Sequence, residues 1–505
     1  MSTASPATVP PPEGDQAAER LKKFEQIRAL GLDPWGQRFD GKQAIVSIRE
    51  LEGKPFDDAN PQGPRVRVAG RVVRHRTGGK LHFLELWDET GRIQLMIRLN
   101  KVVERDWKVL NLLDLGDLIG VDGEYGVTKT GEPTIQVDKL TFLTKSLEPH
   151  PKDTYGLGDI EYRLRHRYLD LIYTPETLKR AHQRVKILRT IRSHLDERGY
   201  LEVETPVLQS VASGAAARPF ETHHNALDIP LVLRIALELP LKRLLVGGLE
   251  KVYEIGRVFR NEGISPKHNP EFSMLELYCA YGDLYSIMEL TESLIVACVK
   301  AVSDSDTIPW GEKQIAFRPP FERASYGDLF RTHVGVDMTD RDGVKAKAAE
   351  FRVPTQLRTA GGGSIDKEHD VLVNDLFGEI VEPMLVGPVF VFDYPAALCP
   401  LTKRKAAEPH LAERFELYVH GMELANAYTE LNDPFTQEAT FRKQLVGQSD
   451  EDSMAKLDED FIRTLRHGMP PAGGLGIGID RLVMLLTNTT SIRDVILFPL
   501  LRPGS

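Results

Sequence analysis

The chain has 505 residues, of which 41% are hydrophobic and 27% are charged, and this balance is typical of a soluble globular protein with two or three domains. No apolar run approaches the roughly 18 residues that a bilayer-spanning helix needs, so we expect no membrane attachment. The net charge of −9 argues against a uniformly basic surface but leaves room for a local basic face.

The three cysteines, Cys279, Cys298 and Cys399, have no metal-ligand spacing and do not form an even set for disulfides. The N-terminal stretch has neither a basic start nor an apolar run, so it does not resemble a secretory signal. We therefore expect a reducing, cytoplasmic environment and no structural zinc site.

Residues 1–15 are rich in proline, alanine and serine and have little to bury, which predicts a disordered tail. A helix follows within an N-terminal extension that reaches residue 60. Leu21, Phe24, Ile27 and Leu30 recur near helical spacing, and Gly31 stops the helix.

From Arg65 the hydrophobic period changes to two, which indicates β-strands. Several such segments with glycine-rich turns predict a small β-barrel over residues 61–147. Its outward face combines cations, an amide and an aromatic ring, the residue types that bind single-stranded nucleic acid. These residues are Arg65, Arg67, Arg71, Phe83 and Gln94. The alternative is that Phe83 packs under a loop.

Residues 148–175 are polar and are predicted to be a linker. Thr174-Pro175-Glu176 is a favourable helix start, and the helix after it extends to about residue 198 with one apolar stripe. The stripe consists of Val185, Leu188, Ile191 and Leu195. Residues 176–505 mix helices with alternating strands and show no repeat, which predicts one large α+β domain with an insertion at about 305–370.

Residues 248–281 contain two alternating segments around a polar loop, the pattern of an antiparallel strand pair. On the second strand Phe272, Met274, Glu276 and Tyr278 share one face. An ionised Glu276 on so apolar a face requires a cationic partner, which either the protein or a ligand supplies. A structural ion pair is the alternative to a ligand site.

Residues 473–486 place Gly474, Gly476 and Gly478 on one strand face, before Arg481 in an apolar helix. A strip without side chains lets a flat ligand approach the sheet, and the arginine can reach a phosphate. Position 479 is isoleucine, so the dinucleotide fingerprint fails, and the chain has no GxxxxGK[ST]. A nucleotide would therefore bind without a P-loop. The alternative is that the glycines serve packing only.

Residues 413–434 resemble a hairpin that turns at His420-Gly421. A two-residue turn would pair Tyr418 with Glu423 and place Glu416 and Glu423 on one face. Two carboxylates beside a phosphate site suggest a Mg²⁺ position. The alternative is a pair of solvated surface glutamates.

These three segments and residues 195–208 resemble the signature motifs of class II aminoacyl-tRNA synthetases, and most closely those of the lysyl-tRNA synthetases. Five further or overlapping stretches look like that family's, at residues 156–172, 213–228, 259–278, 425–434 and 474–503. The resemblance covers nearly the whole chain from about residue 16.

The resemblance implies an α+β fold, with an N-terminal OB-fold β-barrel followed by a class II catalytic domain built on an antiparallel sheet flanked by helices. It implies ATP-dependent activation of L-lysine to lysyl-adenylate and transfer to the 3′ end of tRNA(Lys), with Mg²⁺ as cofactor and ATP as substrate. It also implies a homodimer through the helix after residue 175. The alternative is that this helix packs only on its own domain.

The resemblance also implies residue roles. Arg260 would contact the α-phosphate and the lysine carboxylate, Phe272 would stack on adenine, and Arg481 would hold the γ-phosphate. The implied ATP-binding residues are Arg260, Glu262, His268, Asn269, Phe272, Glu416 and Arg481. The implied lysine-binding residues are Glu238, Glu276, Tyr278, Asn426, Tyr428 and Glu430. Glu416 and Glu423 would hold the metal, and the implied anticodon-binding residues are Phe83, Gln94, Arg76 and Glu132.

Two features depart from the family pattern. Pro240 stands in a segment, residues 237–242, that reads PELYLK in the family, and a proline removes a backbone donor. Strict alternation would also put Asn426, Tyr428 and Glu430 opposite Glu423, so a shared site predicts either a β-bulge or a different register of the hairpin.

Three other functions remain open from the sequence. An aspartyl- or asparaginyl-tRNA synthetase shares the architecture, but an aspartate pocket should offer a cation where Glu276 and Glu430 stand. A catalytically idle RNA-binding paralogue is disfavoured by the intact Arg260 and Arg481. An enzyme that modifies protein lysines would resemble the catalytic domain alone, and the complete barrel disfavours it.

Overall fold

The computed structural model describes residues 15–57, 63–149, 158–212, 214–215, 217–358, 364–445 and 458–502. The chain forms two compact units, Met1–Asp159 and Ile160–Ser505. The tail predicted for residues 1–15 lies outside the described residues except for its last position. Among the described residues, no helix is long and apolar enough to span a bilayer.

The first unit is a closed five-stranded barrel in which the strands follow the order β1-β2-β3-β5-β4. The strands are Arg65–Gly78 (β1), Leu81–Asp88 (β2), Gly91–Arg98 (β3), Leu118–Val127 (β4) and Pro133–Thr144 (β5). Three helices accompany them: Asp15–Ala29 (α1), Ile45–Arg49 (α2) and Glu104–Leu112 (α3). The predicted alternation is correct, because Val66, Val68 and Val72 are buried in the barrel core.

Helix α1 packs on the barrel through Ala17, Arg20 and Ile27. Leu21, predicted on the apolar stripe, is 37% exposed. Arg20 takes the buried position because its guanidinium donates to the carbonyls of Leu115 (2.9 Å) and Ser146 (3.0 Å). Such pairing removes the cost of burying a charged side chain.

The second unit is built on an eight-stranded sheet with the order β14-β17-β18-β19-β20-β11-β10-β6. Neighbouring strands are antiparallel except for the two edge pairs, which are parallel. The strands of this sheet are Leu201–Glu202 (β6), Lys251–Phe259 (β10), Glu271–Ala280 (β11), Glu322–Ser325 (β14), Val389–Pro395 (β17), Leu411–Val419 (β18), Met422–Thr429 (β19) and Ala472–Gly478 (β20).

Smaller sheets and helices surround this sheet. The smaller sheets contain Leu208–Gln209 (β7), Glu221–His224 (β8), Ile229–Leu233 (β9), Thr307–Trp310 (β12), Lys313–Ala316 (β13), Gln356–Arg358 (β15) and Ser364–Asp366 (β16). The helices are Ile160–Arg165 (α4), Arg167–Tyr173 (α5), Pro175–Asp196 (α6), Glu238–Val246 (α7), Leu284–Val302 (α8), Tyr326–Val334 (α9), Arg341–Glu350 (α10), His369–Leu376 (α11), Pro434–Leu445 (α12), Glu459–Arg466 (α13), Ile479–Leu486 (α14) and Ile492–Val495 (α15).

The long helix α6 begins at the predicted proline, but its buried stripe differs from the prediction. Ile187, Ile191 and Leu195 are fully buried, whereas Val185 is 47% exposed. The predicted stripe is correct at its C-terminal end and wrong at Val185, because the core face passes through Ile187 one turn before Ile191.

The structure also differs from the polar linker predicted at residues 148–175, because α4 and α5 make most of residues 160–173 helical. Arg167 of α5 is buried and pairs with Asp170 at 2.5 Å. Its guanidinium also donates to the carbonyls of Leu497 (3.0 Å) and Arg493 (2.9 Å). These polar residues are therefore part of the second unit's interior.

The region predicted as an insertion, about 305–370, contributes to the main sheet. Strand β14 pairs in parallel with β17 at the sheet edge. Tyr326 of α9 is buried and stacks on Phe377, with ring centroids 3.9 Å apart. Much of this region is therefore integrated into the second unit, although residues 359–363 lie outside the described residues.

Candidate active site

One cavity of about 370 Å³ lies in the second unit, on the face of the sheet formed by the central strands. Strand β11 contributes Phe272, Met274, Glu276 and Tyr278 to its lining. These are the four residues that the alternation predicts on one face, so this prediction is confirmed.

The glycine strand β20 lies between β11 and β19 and serves two purposes. Gly476 and Gly478 line the cavity, which gives it an open floor. A Cβ atom on Gly474 would lie 1.9 Å from Glu430 Oε1 and 2.6 Å from the Tyr278 ring, so this glycine is required by packing. The packing interpretation is therefore confirmed at Gly474, and the approach of a flat ligand over Gly476 and Gly478 stays a prediction.

The hairpin of β18 and β19 turns at His420 and Gly421, whose φ angles are 52° and 62°. Tyr418 pairs with Glu423 as predicted, and the predicted bulge is present because Leu417 pairs with Ala425. The additional residue on β19 shifts the alternation of this strand. As a result Glu423, Asn426 and Tyr428 all line the cavity.

One end of the cavity is rich in carboxylates and phenols. Glu238, Glu276, Tyr278, Asn426 and Tyr428 line it. Glu276 is 5% exposed, and its two oxygens accept hydrogen bonds from the backbone N–H of Leu237 (3.0 Å) and from the Tyr278 hydroxyl (3.1 Å). Burial and the nearby Glu238 raise the pKa of Glu276 to about 7. No ion pair to Glu276 is present among the described residues, so the structural ion pair considered for it is absent there.

Glu430 does not line the cavity, although its role was predicted beside Glu276. Its Oε2 lies 2.5 Å from Nζ of the buried Lys242, and the same Nζ lies 2.5 Å from Glu238 Oε1. Burial raises the pKa of Glu430, and the Lys242 ammonium group opposes this shift. Two of the three carboxylates predicted for the amino acid therefore share an ammonium group of the protein itself.

Pro240 does not disturb Glu238. Helix α7 begins at Glu238, so Pro240 lies in the first turn, where backbone N–H groups have no intrahelical acceptor. Glu238 is fixed by its ion pair with Lys242 one turn later.

The opposite end of the cavity is cationic. Arg260 follows β10, and its backbone N–H donates to the Pro270 carbonyl at 2.8 Å. Its guanidinium carbon lies 5.2 Å from the centroid of the Phe272 ring. Arg481 donates to the Glu423 carbonyl (2.8 Å) and lies 3.2 Å from His268 Nε2.

Burial and the neighbouring Arg481 lower the pKa of His268. A neutral imidazole and two guanidinium groups thus surround space suited to an anion.

The polar loop between β10 and β11 supplies the remaining predicted residues. Asn269 is buried, and its side-chain amide donates to the Glu271 carbonyl at 2.6 Å. Its Oδ1 is buried without a hydrogen-bond partner in the described part of the chain. Glu262 is exposed at the cavity rim. The loop therefore offers a free acceptor and a carboxylate to a ligand.

The two predicted metal ligands have different surroundings. Glu416 is buried outside the cavity lining and accepts hydrogen bonds from Arg414, Tyr394 (2.9 Å) and Tyr418 (2.5 Å). Glu423 lines the cavity, and burial together with Glu416 raises its pKa. Mutual repulsion of this kind fits a divalent cation, which would stabilise both charged carboxylates.

No cluster of three or more histidine, cysteine, aspartate or glutamate side chains with metal-binding geometry occurs within the described ranges. Two carboxylates alone would fit a metal that also takes ligands from a bound substrate, as Mg²⁺ commonly does. Burial of Glu416 excludes the alternative of two solvated surface glutamates.

In the first unit, the four predicted anticodon residues share an outer face of the barrel. Arg76 pairs with Phe83 across β1 and β2, and Gln94 donates to Thr134 of β5 at 3.0 Å. Glu132 is exposed two residues before Thr134. Phe83 is partly exposed, which leaves its ring accessible on this face.

The arginines at the start of β1 are engaged within the barrel, whereas the sequence predicted that they offer their charges to a nucleic acid. Arg65 pairs with Asp138, and Arg67 pairs with Asp122 at 2.8 Å. Arg71 donates to the Gly116 carbonyl at 2.7 Å. These groups are engaged within the barrel because β1 pairs with β4, which carries Asp122, and β4 pairs in turn with β5, which carries Asp138.

Two site residues were missed in the sequence. Lys242 lies four residues after Glu238 on a helix, a spacing that favours an ion pair. Arg414 lies two residues before Glu416 on the same strand. Its guanidinium carbon lies 4.6 Å from the centroid of the Tyr394 ring. The spacing of Glu238 and Lys242 and that of Arg414 and Glu416 are visible in the sequence. The contacts of Lys242 with Glu430 and of Arg414 with Tyr394 are not, because these residues are distant in the chain.

Comparison with known proteins supports these observations. Residues 159–502 match the family described as tRNA synthetases class II (D, K and N), and residues 66–143 match the OB-fold nucleic acid binding domain. The chain is 47% identical to the lysine–tRNA ligase of Moorella thermoacetica over 492 residues, which is 97% of this chain and 98% of that protein. It is 44% identical to the lysine–tRNA ligase of Bacillus subtilis over 493 residues, 97% of each chain. The chain therefore belongs to the class II tRNA synthetase family.

Proposed function

We propose that the protein is a lysine–tRNA ligase, which activates L-lysine with ATP and transfers it to the 3′ end of tRNA(Lys). The observation that carries this proposal is the polarity of the cavity. Buried carboxylates occupy one end, where Glu276 has no ion-pair partner among the described residues, and two arginines occupy the other. A ligand with two ammonium groups and a phosphate-bearing co-substrate match this arrangement.

In the first step the lysine carboxylate attacks the ATP α-phosphorus, the bond to the β-phosphate breaks, and pyrophosphate leaves. Arg260 lines the cavity at its cationic end and neutralises charge on the carboxylate and the α-phosphate. Arg481 binds the distal phosphates, and Phe272 stacks on adenine. Glu416 and Glu423 would hold Mg²⁺, which would neutralise the pyrophosphate as it leaves.

Lysine is recognised at the carboxylate end. Glu276 and Tyr278 bind the ε-ammonium, while Glu238 binds the α-ammonium at the start of α7. The aromatic rings of Tyr278 and Tyr428 surround the aliphatic stem of the substrate. A site that pairs a buried charge rejects analogues that lack the charge, because the carboxylate is then left unpaired.

In the second step a hydroxyl of the terminal ribose of tRNA attacks the carbonyl of lysyl-adenylate, and AMP leaves. The barrel binds the anticodon on the face that carries Arg76, Phe83, Gln94 and Glu132. An aromatic ring that stacks on a base and polar groups that reach its edge are the usual means of single-stranded RNA recognition. The matched OB-fold nucleic acid binding domain supports this assignment.

We also propose that the enzyme is a cytoplasmic homodimer. Exposed apolar side chains near α6 support self-association, since Val185, Leu201 and Leu208 are between 47% and 52% exposed. ATP, free lysine and tRNA occur together in the cytoplasm.

Pyrophosphate exchange into ATP, measured without tRNA and separately with each of the twenty amino acids, tests the proposal. We expect exchange with lysine alone. Exchange with aspartate or asparagine would retain the reaction and overturn the lysine assignment. A folded protein without exchange for any amino acid would favour the catalytically idle RNA-binding paralogue.

A further inference from the structure

A lysine of the protein itself is buried beside the proposed amino-acid site. Lys242 of α7 is fully buried, and its Nζ lies 2.5 Å from both Glu238 Oε1 and Glu430 Oε2. The same Nζ is 5.9 Å from the centroid of the Tyr278 ring. Lys242 does not line the cavity, so it acts on a ligand only through the two carboxylates.

The buried charges at this end of the cavity do not balance in the absence of a ligand. Glu238, Glu276 and Glu430 are each 6% exposed or less. One ammonium group against three carboxylates leaves two negative charges. Buried charges are stable only when they are paired, so two further positive charges are required for all three carboxylates to be ionised.

Free L-lysine brings two ammonium groups, and Arg260 at the opposite end faces its carboxylate. We propose that Lys242 is a specificity-determining positioning residue, which neutralises one of three buried carboxylates and so sets the net charge of the site to match the two ammonium groups of the substrate. This inference rests on the proposed function, because it takes the cavity as the site for lysine.

The geometry explains how one residue sets both charge and position. Lys242 pairs with Glu430 Oε2, while Glu430 Oε1 lies against Gly474. The other bond orients Glu238, which remains in the cavity lining. The two carboxylates raise the pKa of Lys242, which keeps its ammonium group charged. The negative charge of Glu430 is therefore already balanced by Lys242 when the substrate binds to Glu276 and Glu238.

The test is a double-variant cycle of Lys242→Met, Glu430→Gln and the combination of both, read by lysine-dependent pyrophosphate exchange. Lys242→Met leaves three carboxylates for two ammonium groups, and we expect kcat/KM for lysine to fall at least about 30-fold, mainly through KM. Glu430→Gln leaves only one net negative charge, and we expect a similar loss. The double variant restores two negative charges, and we expect kcat/KM for lysine at least about tenfold above that of Glu430→Gln. KM for ATP should stay within about threefold of wild type throughout.

Two further variants separate charge balance from a general effect of removing a buried lysine. Lys242→Arg keeps the charge and should retain more lysine activation than Lys242→Met. Lys145→Met is the matched control, because Lys145 of the barrel unit is also fully buried between two carboxylates, Asp114 (2.7 Å) and Asp117 (2.9 Å). It should lower thermal stability and leave KM for lysine unchanged in the tRNA-free reaction.

If Lys242→Met does not fold, the comparison of kcat/KM for lysine between Glu430→Gln and the double variant still tests the inference. A double variant no more active than Glu430→Gln would overturn the inference, as would equal effects of Lys242→Met and Lys145→Met on KM for lysine. Failure of the proposed function is a different result, since the wild-type enzyme would then show no lysine-dependent exchange.

Discussion

At the scale of single residues, Glu276 illustrates how burial makes a carboxylate selective. Its oxygens accept hydrogen bonds from Leu237 and Tyr278, yet no ion pair reaches it among the described residues. Burial and the nearby Glu238 raise its pKa to about 7. An arriving ammonium group stabilises the ionised form, so binding of lysine and ionisation of Glu276 are linked.

This linkage predicts a pH dependence. The pKa of Glu276 in the free enzyme lies near 7, and lysine binds the ionised form. As the pH falls from 8 to 6, kcat/KM for lysine should fall about tenfold. The measurement is pyrophosphate exchange at saturating ATP. Absence of any decrease over this range would contradict the linkage. In the Glu276→Gln variant, kcat/KM for lysine should not show this decrease between pH 8 and pH 6.

Gly474 provides a second test at a single position. A methyl group there would lie 1.9 Å from Glu430 Oε1 and 2.6 Å from the Tyr278 ring, so both side chains must move. Gly474→Ala should lower the free energy of unfolding by about 1–3 kcal/mol and weaken lysine activation. Chemical denaturation measures the first effect.

Gly476→Ala is the matched control for stability. Its added Cβ would lie 3.5 Å from the Met274 methyl group, 3.9 Å from the Asn426 carbonyl oxygen and 4.0 Å from Glu276 Cγ, which are ordinary van der Waals contacts. Equal losses of stability in the two alanine variants would contradict the packing role of Gly474.

At the scale of elements, the β18–β19 hairpin shows what can be predicted from sequence. His420-Gly421 favours a tight turn, and a two-residue turn determines the pairing of Tyr418 with Glu423. The bulge followed from the requirement that Asn426 and Glu423 share a site. The ion pair between Lys242 and Glu430 could not be predicted this way, because it depends on where helix α7 packs against the sheet.

The barrel face gives a prediction for an element separate from the active site. Stacking on an aromatic ring contributes about 1–3 kcal/mol per base. Phe83→Ala should therefore reduce kcat/KM for tRNA by roughly 5- to 150-fold and leave tRNA-free pyrophosphate exchange unchanged. Aminoacylation and exchange assays on the same variant measure the two quantities. An equal loss in both would contradict the assignment of this face to the anticodon.

At the scale of the whole molecule, the order of the two units, the barrel and the class II unit were all predictable. Alternation of buried valines indicates the barrel, and three separate motifs indicate the catalytic sheet. The contribution of residues 305–370 to that sheet was not predictable. Strand β14 has four residues, and its partner β17 begins at Val389, so no local pattern reports their parallel pairing.

Self-association gives a prediction at the same scale. If α6 forms the dimer interface, Val185→Asp places a charge in it and should shift the protein toward monomer at micromolar concentration. Light scattering measures the mass. Val103→Asp is the matched control, since Val103 is 59% exposed in the barrel unit and should leave the mass unchanged. A monomeric wild-type protein, or identical masses for the two variants, would contradict the dimer proposal.

Glu276 is the residue proposed to select lysine, and the Glu276→Gln variant removes its charge while keeping its shape. The raised pKa means that the carboxylate favours folding below its unfolded pKa of about 4.5 and loses that contribution as the pH rises through about 7. The variant should therefore be at least as stable as wild type at pH 8.

The measurement is kcat/KM for lysine together with the Kd for ATP, both at pH 8. We predict that kcat/KM for lysine falls by about 10²-fold or more while the Kd for ATP changes by less than about threefold. An unaltered kcat/KM for lysine in a folded Glu276→Gln protein would contradict the account.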